Sequence, residues 1–175
     1  MLDIAEWFRR LRERGPAYGY YPEPTKSHIV TRPELVDQAR RIFSPLGVKV
    51  HTDYRFLGGC IGTTEGAQRY VEEKVKGWVA SVQSLSCAAV RSPQAALAGF
   101  TKSLQHEWSY VQRVVKCDPQ VYAPLRTAIR THFTPKLLGR EVSDDLQELL
   151  ALSARLGGWA YGTRWLGHCL PTLSL

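Results

Sequence analysis

An α+β fold is what this sequence predicts, with a small β-α-β-β unit followed by a mostly α-helical bundle. Three observations predict it. Two short β-branched runs, "SHIVT" and "VKVHT", flank an amphipathic stretch that opens on proline. The apolar period changes to a helical one at about Thr64. Two later apolar stripes begin at Ser-Pro and Asp-Pro, pairs that suit a helix start.

The N-terminal "LDIAEWFRRLRERG" places Leu2, Ile4 (or Ala5), Phe8 and Leu11 at helical spacing. Arg9, Arg10, Arg12 and Arg14 lie elsewhere, and Gly15-Pro16 forms the stop. A basic amphipathic helix is expected. "SHIVT" reads as a strand. "RPELVDQARRIFSPLG" puts Leu35, Val36, Ala39, Ile42 and Phe43 on one side of a helix. "VKVHT" and the glycine-broken "RFLGGCIG" read as two further strands joined near Asp53-Tyr54.

Beyond Thr64, Val71, Lys74, Val75, Trp78, Val79 and Val82 form a stripe, so a helix is expected over about residues 65–84. The next helix has Ser92 as N-cap and Pro93 at its first position, with Leu97, Phe100, Leu104, Trp108, Val111 and Val115 on one face. Asp118-Pro119 opens a third, with Val121, Leu125, Ile129 and Phe133 aligned and Pro124 as a kink. Ser143 caps a short last one, "SDDLQELLAL".

Composition narrows the function classes. In 175 residues, Lys and Arg outnumber Asp and Glu by 23 to 16, a net charge of +7 that favours polyanionic partners such as nucleic acid. No apolar run reaches the roughly 18 residues of a membrane span, and no signal-peptide core is present, so an intracellular, non-secreted protein of the cytoplasm or nucleus is expected. Cys60, Cys87, Cys117 and Cys169 are scattered without a C-x-x-C pair, so neither a disulfide partner nor a zinc site is expected. "QHEWSY" has Tyr110 where a metalloprotease helix needs a second histidine, and His28, His51, His132 and His168 have no partner at ligand spacing. No metal site is expected within the chain.

Taken together, "LDIAEWFRRLRERGPAYGYYPEPTKSHIV", "GVKVHTDYRFLGGCIGTTEG", "KVKGWV" and "FTKSLQHEW" resemble, in order, the part of a retroelement reverse transcriptase that follows its catalytic aspartate hairpin. The DIRS-type retrotransposon polymerases are the most similar in character, and the resemblance covers about residues 2–158. It implies the C-terminal part of a polymerase palm over residues 1–62, a helical thumb over 63–158 and a separate tail over 159–175. After "LRLGG" the family continues with something like Leu-Gly-Ile-x-Asp-Pro, whereas this chain reads "LGGWAYGTRWLGHCLPTLSL". A one-base shift of one coding of Trp159–Arg164 restores Leu-Gly-Ile-Trp-Asp-Pro, so a frameshifted tail is expected.

By the same resemblance Lys26, at the end of Gly19–Lys26, is the acid that neutralises or protonates departing pyrophosphate. Phe56, Leu57, Gly58 and Gly59 match the primer grip, a tight hairpin whose backbone approaches the primer phosphates. A template-primer duplex is the implied partner, held in part by phosphate contacts from the helices after Thr64. Magnesium is implied for a full-length polymerase, whose metal-binding aspartates have no counterpart here. Asp144-Asp145 sit where acidic residues complement a helix N-terminus. The fragment is therefore expected to bind nucleic acid without polymerising. A small basic helical interaction module with no enzyme activity is the alternative expectation.

Overall fold

A computed structural model describes residues 1–152 together with 156 and 158; the expected frameshifted tail lies outside the described residues. The chain is α+β and divides into two compact units, Met1–Ala67 and a second from Gln68 onward. Among the described residues no helix is long and apolar enough to cross a membrane.

The first unit begins with α1 (Leu2–Arg14), followed after short turns by β1 (His28–Val30), α2 (Val36–Phe43) and β2 (Lys49–His51). β1 and β2 pair in parallel, His28 opposite Lys49 and Val30 opposite His51, with α2 in the crossover that parallel strands require. β3 (Asp53–Phe56) and β4 (Gly59–Gly62) form a separate antiparallel hairpin. The core is Ala5 and Phe8 of α1, Ala39 and Phe43 of α2, and Val48, with Ile29 and Val50 packed against it.

Two expectations change here. The turn lies at Leu57-Gly58 rather than near Asp53-Tyr54, because "VKVHT" pairs back to β1 and leaves "DYRF" to fold onto "GCIG". On α1 it is the Ala5 alternative that is buried, while Leu2, Ile4 and Trp7 are exposed. The unit is small, and one (i, i+3) pair, Ala5 and Phe8, fills the space over α2.

The second unit is helical. α3 (Thr64–Arg91) opens in the first unit and runs well past the expected end at residue 84. Small residues extend its buried stripe: Val71, Val75, Trp78 and Val82 continue into Ser86 and Ala89. Ser86 is buried because its hydroxyl donates to the Val82 carbonyl at 2.7 Å. α4 (Pro93–Gly99) and α5 (Gln105–Val114) are one stretch interrupted by a π-helical segment over Phe100–Leu104. Ser92 makes no side-chain cap there. Its φ is −143° and its ψ 80°, whereas Ser143, with φ of −63° and ψ near 157°, accepts from the Leu146 amide.

The third predicted helix is also divided. A 3-10 turn, Pro119–Tyr122, is capped by the Asp118 carboxylate and leads into α6 (Ala123–Ala128), a second π-helical segment (Ile129–Phe133) and α7 (Thr134–Leu138). Pro124 therefore sits in a first turn and starts a helix instead of kinking one. Pro135 has no N–H to offer the preceding turn, and the Thr134 hydroxyl donates instead to the Ile129 carbonyl at 3.0 Å. α8 (Asp144–Ala151) follows. Phe100 stacks on Phe133 with ring centroids 4.6 Å apart, and Trp108 meets Phe100 edge-on at 5.5 Å. Trp78 donates its indole N–H to Glu107 at 2.9 Å.

Candidate nucleic-acid interface

The β3–β4 hairpin closes on two residues, Leu57 with φ of 48° and Gly58 with φ of 78°. Positive φ at both central positions is the turn whose twist suits a right-handed hairpin, and it favours Asn-Gly or Gly-Gly over leucine. Leu57 is the one non-glycine residue with positive φ among the described residues. Its side chain is 77% exposed and that of Phe56 56% exposed, so two apolar groups project from a tip that burial does not hold. Gly59 is buried opposite Phe56 in the ladder.

The base of the hairpin is tightly fixed. Gly62 has φ of 130°, and a Cβ there would overlap the Thr52 carbonyl oxygen. A Cβ on Gly66, in the first turn of α3, would come within 2.5 Å of the Asp53 Cβ. Glycine is needed at both positions because backbone and neighbouring side chain approach so closely.

A cluster of three rings joins this hairpin to the parallel strands. Tyr54, on β3, stacks on His28 with centroids 4.0 Å apart, and its hydroxyl lies 2.9 Å from His28 Nε2. His28 Nδ1 is 3.1 Å from His51 Nε2. We assign the Tyr54 O–H as donor to His28 and His28 Nδ1–H as donor to His51, which requires a neutral His28. Burial holds the His28 imidazole below its ordinary value of 6.5, and the neighbouring His51 and Lys49 act in the same direction.

Residue-by-residue reading treats these histidines as unrelated, and the strand register is what unites them. Side chains alternate along a strand, so His28 shares a face with Val30, and Lys49 with His51. Pairing His28 with Lys49 then sets the two imidazoles diagonally across one face. The available signal was a histidine at opposite ends of two β-branched triplets, "HIV" and "KVH".

Lys26 ends the short 3-10 turn Pro24–Lys26, is exposed, and donates its backbone N–H to the Glu23 carbonyl at 3.2 Å. It stands just before β1, whereas Phe56, Leu57, Gly58 and Gly59 form the hairpin tip, from the last residue of β3 to the first of β4. Among the described residues no group of three or more His, Cys, Asp or Glu side chains could hold a metal ion, so no step is assigned to a metal within them. Cys60 and Cys117 are half-buried and Cys87 is exposed; Cys169 lies outside the described residues.

No protein-family model, curated protein or solved structure matches the chain.

Proposed function

We propose that this chain serves a reverse-transcriptase-type polymerase as the end of its palm and its thumb, gripping a template-primer duplex rather than carrying the metal-dependent chemistry. The observation that carries the reading is the Phe56–Gly59 tip. A leucine is held in a left-handed turn beside a glycine, with an exposed phenylalanine, in the segment where the resemblance expects a primer grip. Backbone strain kept at an exposed position, where it gains no core packing, suits a surface that meets a ligand.

In this role the two glycines let the backbone come close to primer phosphate and sugar, and Phe56 and Leu57 lie against the sugar edge. The Tyr54–His28 contact sets the direction of the hairpin on the parallel strands. Lys26 offers an exposed ammonium that would neutralise departing pyrophosphate once the metal-binding carboxylates are supplied by other polypeptide. Alone, the chain binds and does not polymerise.

Mobility shifts of a primer-template duplex against heparin test this. Duplex binding that weakens with salt and falls several-fold in Phe56→Ala, while heparin binding stays unchanged in that variant, is the expected outcome. Equal binding of both polyanions, indifferent to Phe56, would instead identify a small basic interaction module.

A further inference from the structure

We propose that the groove between α1 and the Tyr20–Ser27 segment binds an unpaired base of single-stranded nucleic acid. The groove is a cavity of about 230 Å³ within the first unit, walled by Trp7, Phe8, Tyr20 and Pro22, with Glu23 and Ser27 at its polar edge. It is smaller than the roughly 300–1,000 Å³ of sites for drug-sized ligands. Its flat indole and phenol walls suit a planar heterocycle, and it is too small for a helix or folded domain.

The aromatic walls are displayed at the surface. Trp7 is 60% exposed and Tyr20 57%, and Tyr18 and Tyr21 are exposed beside them. Tyr20 is set in place by the backbone: its N–H donates to the Gly15 carbonyl at 3.0 Å, and the Gly19 N–H donates to that of Pro16 at 3.1 Å. A Cβ on Gly15 would come within 2.6 Å of the Tyr20 carbonyl oxygen, so this closure needs glycine. Pro22 and Pro24 stiffen the chain that follows. The backbone that carries Tyr20 is thus fixed without a ligand, which lowers the cost of binding.

Charge and hydrogen-bonding capacity select the occupant. Arg14 follows Trp7 by seven residues on the same side of α1 and Lys26 precedes Ser27 in the chain, while Arg10, three residues after Trp7, is exposed and paired with Glu6 at 3.0 Å. Arg14 and Lys26 can follow a phosphate backbone past the stacked base. One oxygen of the Glu23 carboxylate accepts from the Thr25 hydroxyl at 2.7 Å, and the other remains able to accept from a base amino group. Cytosine and adenine present such a group and thymine does not. Both His28 ring nitrogens are engaged with Tyr54 and His51, so His28 lines the groove without offering a polar atom.

This site is distinct from the hairpin grip and rests on the proposed function only in expecting a nucleic-acid partner. Fluorescence anisotropy of the whole chain with labelled oligocytidylate and oligothymidylate of about 12 nucleotides tests it, with a blunt duplex alongside. Trp7→Ala and Tyr20→Ala should each weaken single-strand binding by about 10-fold, and Trp7→Phe should restore most of the loss. Glu23→Ala, which removes the acceptor, should remove the preference for cytidylate. Single-strand binding through Trp7 without any duplex binding would retain this site and overturn the grip. Duplex binding alone, or single-strand binding indifferent to Trp7 and Tyr20, would overturn this site. Self-association lost in Trp7→Ala, with no oligonucleotide bound, would overturn it in favour of a second copy of the chain.

Discussion

Leu57 is the residue where local preference and observed backbone disagree most. A left-handed conformation costs an L-residue with a Cβ about 1–2 kcal/mol, and the Leu57 side chain stays largely exposed. Leu57→Asn creates the Asn-Gly pair that such turns prefer. It should stabilise the first unit by about 1 kcal/mol, read as a higher urea midpoint, while weakening duplex binding. The opposite pairing, less stability and unchanged binding, would show that the leucine is there for packing. His28 makes the first unit sensitive to pH. Its folded value lies below the ordinary 6.5, so between the two the unfolded chain binds more protons than the folded one. Stability is therefore greatest above about 6.5 and is lost as pH falls through the lowered folded value. The urea midpoint should drop between neutral and mildly acidic pH, and His28→Asn should flatten that dependence.

At the scale of elements, two π-helical segments bring Phe100 and Phe133 into a stack. An extra residue in a helical turn rotates everything that follows, so the stripe before the segment and the stripe after it face slightly different directions. Phe100 opens one segment and Phe133 closes the other, and both are fully buried. Phe133→Ala should cost about 3–5 kcal/mol of stability in the second unit, measured by denaturant unfolding. A cost below about 1 kcal/mol would mean that the neighbouring helices close over the cavity. α3 shows a related point. Its expected end at residue 84 came from counting large apolar side chains, yet Ser86 and Ala89 are buried because a short side chain can face a close neighbour. Apolar scanning passes over such residues.

For the molecule as a whole, each unit has its own core, and the two differ in how they use aromatic residues. Among the described residues of the second, Trp78, Phe100, Trp108, Tyr122 and Phe133 are buried and Tyr110 is exposed. The first leaves Trp7, Tyr18, Tyr20, Tyr21 and Phe56 at the surface of a chain carrying a net charge of +7. Exposed aromatics beside cations are the combination that stacks bases and holds phosphates, and the proposed grip and groove both draw on it.

Sequence alone determined the α+β class, the succession of strand, helix and strand, and the proline-opened helices, because period, β-branching and helix-start residues act over a few neighbouring positions. The turn at Leu57-Gly58, the meeting of His28, His51 and Tyr54, and the choice of Ala5 over Ile4 were decided only by tertiary structure. Each depends on which strand "VKVHT" pairs with or how much space α2 leaves beneath α1, and both are set by residues distant in the chain. Trp7 and Tyr20 stand thirteen positions apart in the sequence, and only the closure of Gly15 on Tyr20 makes them walls of the same groove.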